Sequence, residues 1–287
     1  MISRKIYRQL VMIFSIINSK YSLKIKIELL LTWFRINIKY RTINKLYKLN
    51  KEKVLSYKVK AFDYESIKLL FEEIFCSNVY YFESTNDHPV IFDCGANIGF
   101  TTIYFKWLYP NSEIYAFEPD KITFEILSKN IQNNNIQGVH LYNVALSKTA
   151  GKIDFFVNLI NPGSVWMSRY PNVICKDKIS VDSMPLSSFM PDETIDLIKL
   201  DVEGSENEVI DDLNKNNRIK FVKKFIIEYH HKIDYKGKRD QRNELGSFLN
   251  VLESNNLEYQ IDSRLMHVTP ENTVQNMIIY IHNKKLS

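Results

Sequence analysis

Asp93-Cys94-Gly95-Ala96-Asn97-Ile98-Gly99 is the stretch that decides the fold. It follows a short apolar run at residues 90–92 and leads into an apolar-periodic segment, 98–108, which Pro110 ends. The pattern predicts a strand, a tight glycine-bearing turn and a helix. In a parallel α/β sheet that turn lies at the C-terminal edge of the strands, where ligands bind at the topological switch point. Gly95 and Gly99 lack a Cβ, so the turn can take positive φ and the backbone can approach a ligand closely. Asp93 is placed to accept from an ammonium group, and the N-terminus of the following helix suits a carboxylate.

The same alternation continues along the chain. Strands are expected at residues 113–117, 139–142, 197–200, 222–227, 257–261 and 276–282, with helices at 120–133, 205–214 and 241–252. Two further strands, 152–157 and 178–184, read as an excursion around a long loop. Strand and helix in alternation imply a mostly parallel sheet covered by helices. The expected fold is α/β: a Rossmann-like seven-stranded sheet whose last strand is antiparallel.

The second strand ends in Phe117-Glu118-Pro119, and Glu118 stands 19 residues after Gly99. An acid about 20 residues past the glycine turn pairs with ribose hydroxyls in nucleoside-binding units. The glycines themselves do not fit a dinucleotide enzyme. Asn97 occupies the place of the second glycine of G-x-G-x-x-G, where backbone must approach a pyrophosphate.

These residues resemble the FkbM family of S-adenosylmethionine-dependent methyltransferases. The resemblance rests on the Asp93 to Gly99 turn, Phe117-Glu118-Pro119, Asn143-Val144-Ala145-Leu146-Ser147, Ile198-Lys199-Leu200-Asp201-Val202-Glu203-Gly204-Ser205-Glu206, and Ile227-Glu228-Tyr229-His230. It covers about residues 55–285, including Phe71-Glu72-Glu73-Ile74-Phe75 through Tyr80 as the family's leading segment. Lys-x-Asp-x-Glu-Gly-x-Glu is the most specific element. It implies a seven-stranded fold and methyl transfer from S-adenosylmethionine, usually to a hydroxyl oxygen. Asp93, Gly95, Asn97 and Gly99 would then hold the methionine end, Glu118 and Pro119 the ribose, and Asn143 with Ala145 the adenine surroundings. One departure is Leu186-Ser187, where the family typically has Leu-Asp.

On the acceptor side, Lys199, Asp201 and Glu203 alternate with Leu200 and Val202, so the charged set shares a direction. Glu206 falls in the first turn of the next helix, and Glu228 and His230 share a face of the neighbouring strand. The acceptor pocket is expected to draw on Asp201, Glu203, Glu206, Glu228 and His230, with His230 the first choice of general base because its ordinary pKa is about 6.5 and Asp201 the second. Structural roles stay open beside these: Glu203 and Glu206 also favour a helix N-terminus, and Lys199 also reads as a buried ion partner of Asp201 or Glu228. The carboxylates could accept Mg²⁺, though none is expected; zinc is disfavoured because no Cys/His set has suitable spacing.

Charge divides the chain. Residues 1–60 hold fifteen Lys/Arg against Glu28 and Glu52, a local net of +13, so the other 227 residues carry −8 of the overall +5. Residues 1–86 are expected to be a basic helical extension and 87–287 the cofactor-binding domain. Neither apolar stretch of the arm, 10–17 or 29–34, approaches the roughly 20 residues of a membrane span, and no small-residue cleavage pattern follows the first. Two readings of the arm stay open: a solvated helical face, or peripheral contact with an anionic membrane or polyanionic substrate. The three cysteines have no metal-like spacing, consistent with buried thiols in a reducing compartment.

The expected function is O-methylation of a hydroxyl on a glycan, glycolipid or small natural product in the cytoplasm, with membrane association only under the second reading of the arm. The alternatives are RNA methylation, favoured by the basic arm but lacking Asn/Asp-Pro-Pro-aromatic and Pro-Cys motifs, and a non-catalytic cofactor-binding scaffold. No nucleic-acid partner is expected. Acceptor choice is assigned to the N-terminal segment and to the loop 158–178, where Trp166, Met167 and Tyr170 either pack on a sugar ring or pack among themselves.

Overall fold

The structure is a computed structural model that describes residues 4–158, 167, 175–231, 234–235, 238–239, 244–262 and 275–286. Its elements begin with α1 (Arg4–Asn18), α2 (Leu23–Arg41), α3 (Ile43–Tyr47), a hairpin of β1 (Lys51–Val54) and β2 (Tyr57–Lys60), and α4 (Tyr64–Leu70). β3 (Val90–Cys94), α5 (Phe100–Leu108), β4 (Glu113–Phe117), α6 (Lys121–Gln132), β5 (Val139–Tyr142), β6 (Ala145–Leu146), β7 (Gly151–Val157) and β8 (Asp177–Met184) follow. The chain then runs through β9 (Leu197–Leu200), α7 (Glu206–Lys215), β10 (Lys224–His231) and the short pair β11 (Asp234–Tyr235) and β12 (Lys238–Arg239). It finishes with α8 (Leu245–Ser254), β13 (Glu258–Asp262) and β14 (Gln275–His282).

These elements form two compact units. The first comprises Met1–Glu83 together with Ile98–Leu108 and Ile126–Ile136, two segments from beyond the expected boundary at residue 87. Side chains explain their membership. The Asn130 amide donates to the carbonyls of Lys60 and Ile98 at 2.9 and 2.8 Å, and its oxygen accepts the Lys60 N–H. Gly99, at φ 91°, is packed so that a Cβ would stand 2.7 Å from Leu127 Cδ1. The segment from Tyr64 is α-helical only to Leu70, and Phe71–Cys76 widens into a π-helical turn in which the Ser77 N–H reaches back five residues to Glu72 O. The hairpin at 51–60 was not expected from the helical pattern; Glu52 is buried beneath it against Lys39, Arg35 and Tyr64.

The second unit, Ser84–Asn97, Tyr109–Glu125 and Gln137–Ser287, carries the sheet. Its seven strands run in the order β13-β14-β10-β9-β3-β4-β5. β5, β4, β3, β9 and β10 pair in parallel, while β14 is antiparallel to both β10 and β13. This is the expected α/β sheet with its last strand reversed. The order places β3 beside both β4 and β9, so the ends of these strands meet at one edge. α7 and α8 are held to the sheet by Val209, Ile210, Leu213, Phe248 and Leu252, which join Ile198, Leu200, Phe225 and Ile227 in one buried cluster. Each such fully buried side chain contributes roughly 1.5–3 kcal/mol. The excursion after β5 is a three-stranded sheet of order β6-β8-β7.

The departure at Leu186-Ser187 has a local structural counterpart. Ser187 donates through its backbone N–H and its hydroxyl to the buried carboxylate of Asp212 in α7, at 2.8 and 2.7 Å. An acid therefore does stand at this point, supplied by a different element.

Candidate active site

Beyond the C-terminal ends of β3, β4 and β9 lies an open cleft of about 630 Å³, solvent-facing space included. Gly95, Asn97, Glu118 and Pro119 line one side, and Asp201, Glu203 and Ser205 line another. Phe117, Val144, Leu146, Ile153, Phe155 and Met167 supply an apolar wall, to which Ala145 also contributes. A mostly apolar pocket with a few convergent polar groups is the usual form of a small-molecule site.

Backbone bonds fix the glycine turn. The N–H groups of Gly95 and Ala96 both donate to Phe117 O, at 3.0 and 2.8 Å. The Asn97 N–H donates to Glu118 Oε2 at 3.0 Å, and the Asp120 N–H donates to Glu118 Oε1 at 2.9 Å. Gly95 and Asn97 hold φ of 83° and 49°, values that glycine and asparagine tolerate best. Burial pushes the Glu118 carboxyl up to about 8, against the backbone donors that favour its ionised form.

Lys199 joins the two strand ends. Its ammonium, 1% exposed, lies 3.6 Å from Asp93 and 3.3 Å from Asp201 and donates to Gly95 O at 2.6 Å. Burial opposes this charge, but Asp201, Asp93 and Glu228 outweigh it and hold the Lys199 pKa above its ordinary value. Asp93 and Lys199 are register partners across β3 and β9. The buried-ion reading of Lys199 is thus the one the geometry favours. Asp93, expected at the methionine end, is fully buried and faces the ammonium of Lys199.

Asn143, expected in the adenine surroundings, donates its amide to the carbonyls of Glu118 and Pro119 at 2.8 and 3.0 Å and so fixes their turn. Ala145 does line the cleft, tied through β6 to Ser183 of β8.

The acidic side contains a buried relay. His230 Nδ1 is 2.8 Å from Glu206 Oε1, and Nε2 is 3.4 Å from Glu203 Oε2. Glu206 is fully buried and also accepts the Gly204 N–H at 3.0 Å. Burial works against a charged imidazole here, but Glu203, Glu206 and Glu228 overcome it and hold the His230 pKa well above its ordinary value. His230, expected as the general base, is buried between Glu206 and Glu203 and is not among the residues that line the cleft, so its geometry favours a role in positioning Glu203. Sequence alternation put His230 on the right face but could not show that two carboxylates return to flank it.

Glu203 is the member of the relay that opens to the cleft, with 30% of its side chain exposed. Burial, only partly countered by His230, pushes its pKa well above the ordinary carboxylate range. Its backbone is held at φ 52°, next to Gly204 at φ 104°, which turns the carboxylate out of strand direction. Glu228 is half-buried on β10 and acts on this group through its charge. Asp201, Glu203 and His230 each present a donor atom within 4.8 Å of one another, a spacing that would suit a cation.

Two lining residues carried no signal in the sequence: Ile153 and Phe155 lie on β7 of the excursion after β5, which pairs with β8. Of the residues expected to choose the acceptor, Met167 is buried in the lining, while Trp166 and Tyr170 lie outside the described residues.

A seven-stranded Rossmann-like sheet with a glycine turn, a strand-end acid and an apolar cleft at its C-terminal edge defines the nucleoside-binding class of α/β enzymes. Comparison with known proteins narrows this. The Methyltransferase FkbM domain matches residues 93–261, more than half of the chain, and the chain belongs to that family of methyltransferase enzymes. Among its relatives, Methyltransferase sdnD of Sordaria araneosa is 30% identical over 56% of this chain and 74% of its own length. The 2-O-methyltransferase NoeI of Sinorhizobium fredii is 31% identical over 42% of this chain and 56% of its own. Among solved structures, Methyltransferase FkbM from Methylobacillus flagellatus superposes with a TM-score of 0.46 and 15% identity, over 87% of this chain and 60% of that one.

Proposed function

We propose that the chain is an S-adenosylmethionine-dependent O-methyltransferase acting on a hydroxyl of a glycan, glycolipid or small natural product. The observation that carries this reading is the cleft itself, whose lining brings the strand-end acid Glu118 together with Asp201 and Glu203. Glu118 would take the ribose hydroxyls, Gly95 and Asn97 would border the methionine end, and Phe117, Val144 and Leu146 would cover the adenine. When bound, S-adenosylmethionine supplies an electrophilic methyl carbon on a sulfonium whose thioether is a good leaving group. The acceptor hydroxyl needs alignment and a base. Asp201, steadied by Lys199, would orient it, and Glu203 would take the proton that its oxygen loses. His230 and Glu206 hold Glu203 in place from behind and stabilise the charge pattern. The relative named a 2-O-methyltransferase supports a hydroxyl acceptor. The +13 of residues 1–60 supports peripheral contact with an anionic membrane, where a lipid-borne acceptor would be met.

The test supplies methyl-labelled S-adenosylmethionine to the protein with lipid and soluble-glycan extracts of the source organism. Label in alkali-stable, ribonuclease-resistant material is expected, as for a methyl ether. Alkali-labile label would indicate an ester, and ribonuclease-sensitive label would favour RNA methylation; either would replace this reading. Glu203→Gln should lower the labelling rate by roughly 10²–10⁴, the contribution of a positioned base, while S-adenosylhomocysteine affinity stays within about threefold.

A further inference from the structure

Sixteen large hydrophobic side chains are exposed among the described residues, and thirteen of them fall between Tyr7 and Tyr47. They are not scattered. On α2, Leu23, Ile27, Leu31, Phe34 and Ile38 project within an arc of roughly 80° at 3.6 residues per turn, with Leu23 and Leu31 74% and 65% exposed. The opposite side of the same helix buries Leu29, Trp33 and Ile36. α2 is therefore apolar on two faces, one that packs within its own unit and one that the described residues leave open to water. α1 repeats the arrangement: Leu10, Phe14 and Ile17 share an exposed face, while Ile16 on the other side is fully buried.

A contiguous exposed apolar stripe marks an interaction surface, and its surroundings identify the partner. Lys24, Arg41, Lys45 and Lys48 are exposed around it, in the segment whose net charge is +13. A second copy of this face would bring like charges together. A nucleic acid would meet the lysines through its phosphates but would leave the leucine and phenylalanine side chains in water. An anionic bilayer satisfies both, with basic groups at the headgroups and the apolar stripe in the acyl boundary. No helix of the described residues is long and apolar enough to cross a membrane, so the contact lies in the plane of the surface.

We propose that the exposed stripes of α1 and α2 insert into the interface of an anionic membrane and anchor the chain there. The inference goes beyond charge contact and is independent of the methyl-transfer chemistry, because its test needs neither cofactor nor acceptor. The full chain is floated with phosphatidylcholine vesicles containing phosphatidylglycerol, and with phosphatidylcholine alone, before and after a high-salt wash. Recovery with the anionic vesicles that survives the wash is expected. Phe14→Ser with Leu31→Ser should reduce it at least about tenfold, with an unchanged melting temperature because both side chains are exposed; Leu23→Ser with Ile27→Ser provides a second pair. Full release by salt, equal recovery on neutral vesicles, undiminished recovery of both variants, or a dimer that the variants dissolve would each overturn the proposal.

Discussion

Gly95→Ala is expected to destabilise the protein severely and to abolish cofactor binding. An ideal Cβ at this position would stand 1.8 Å from the backbone oxygen of Asp201 and 2.9 Å from its carbonyl carbon. The obstacle is backbone, and that backbone is pinned, because the Asp201 N–H donates to Cys94 O at 3.0 Å while Lys199 bridges Gly95 O and the Asp201 carboxylate. Alanine would also have to hold φ 83°, which L-residues adopt only under strain. Strain and overpacking together cost roughly 2–6 kcal/mol, a large part of a typical 5–15 kcal/mol stability. If the loops part to admit the methyl group, the Glu118 side of the cleft separates from the Asp201 side. Gly246→Ala in α8 is the control. It has no atom within 4 Å of its ideal Cβ and should be neutral or stabilising by up to about 1 kcal/mol. Thermal melts of the two variants check the contrast, and equal melting temperatures would mean that the β3 and β9 loops are not in contact.

His230→Ala is expected to unfold the protein more readily, by roughly 3–5 kcal/mol, before any effect on chemistry is considered. Removing the imidazolium leaves Glu206, fully buried, without its cation at 2.8 Å, and stranding one member of a buried ion pair costs about that much. The pH dependence has a definite sign. His230 has a raised pKa in the folded state, so its stabilising contribution is fully present below the unfolded value near 6.5 and is lost as pH rises through the higher folded value. The gap in melting temperature between wild type and variant should therefore be widest in mildly acidic buffer and close as the solution becomes alkaline. An unchanged melting temperature joined to loss of the acidic limb of the pH–rate profile would restore His230 as the base.

Most of the sheet was legible because each strand carries its own signal. The runs at 90–92, 113–117, 139–142 and 197–200 are short, apolar and bounded by turn residues, and all four pair as parallel neighbours. Gly95, Asn97, Glu118, Pro119, Ala145, Asp201 and Glu203 could be read as one site because strand ends converge wherever the topology is parallel. Burial was not legible. The period-two pattern of Lys199-Leu200-Asp201-Val202-Glu203 gives direction but does not say that Lys199 ends at Gly95 O, nor that its ammonium also faces Asp93. The hairpin was missed for a related reason. In Lys51-Glu52-Lys53-Val54 only alternate side chains are buried, and one of them is charged. The exposed stripe of α2 was hidden as well, since apolar residues on two opposite faces cancel the one-sided pattern by which an amphipathic helix is recognised.

The central claim is that this cleft binds S-adenosylmethionine, and calorimetric titration of the whole protein with S-adenosylhomocysteine across pH tests it most directly. The account predicts one-to-one binding and no saturable binding of NAD. It also predicts a pH signature, because two ribose hydroxyls donate best to an ionised Glu118 whose carboxyl is pushed up to about 8 in the unliganded protein. Affinity should strengthen by roughly tenfold per pH unit toward pH 8 and level off above it, while Glu118→Ala should bind at least about tenfold more weakly at high pH and show no such slope. No heat from S-adenosylhomocysteine at any pH, together with saturable binding of NAD, would contradict the account.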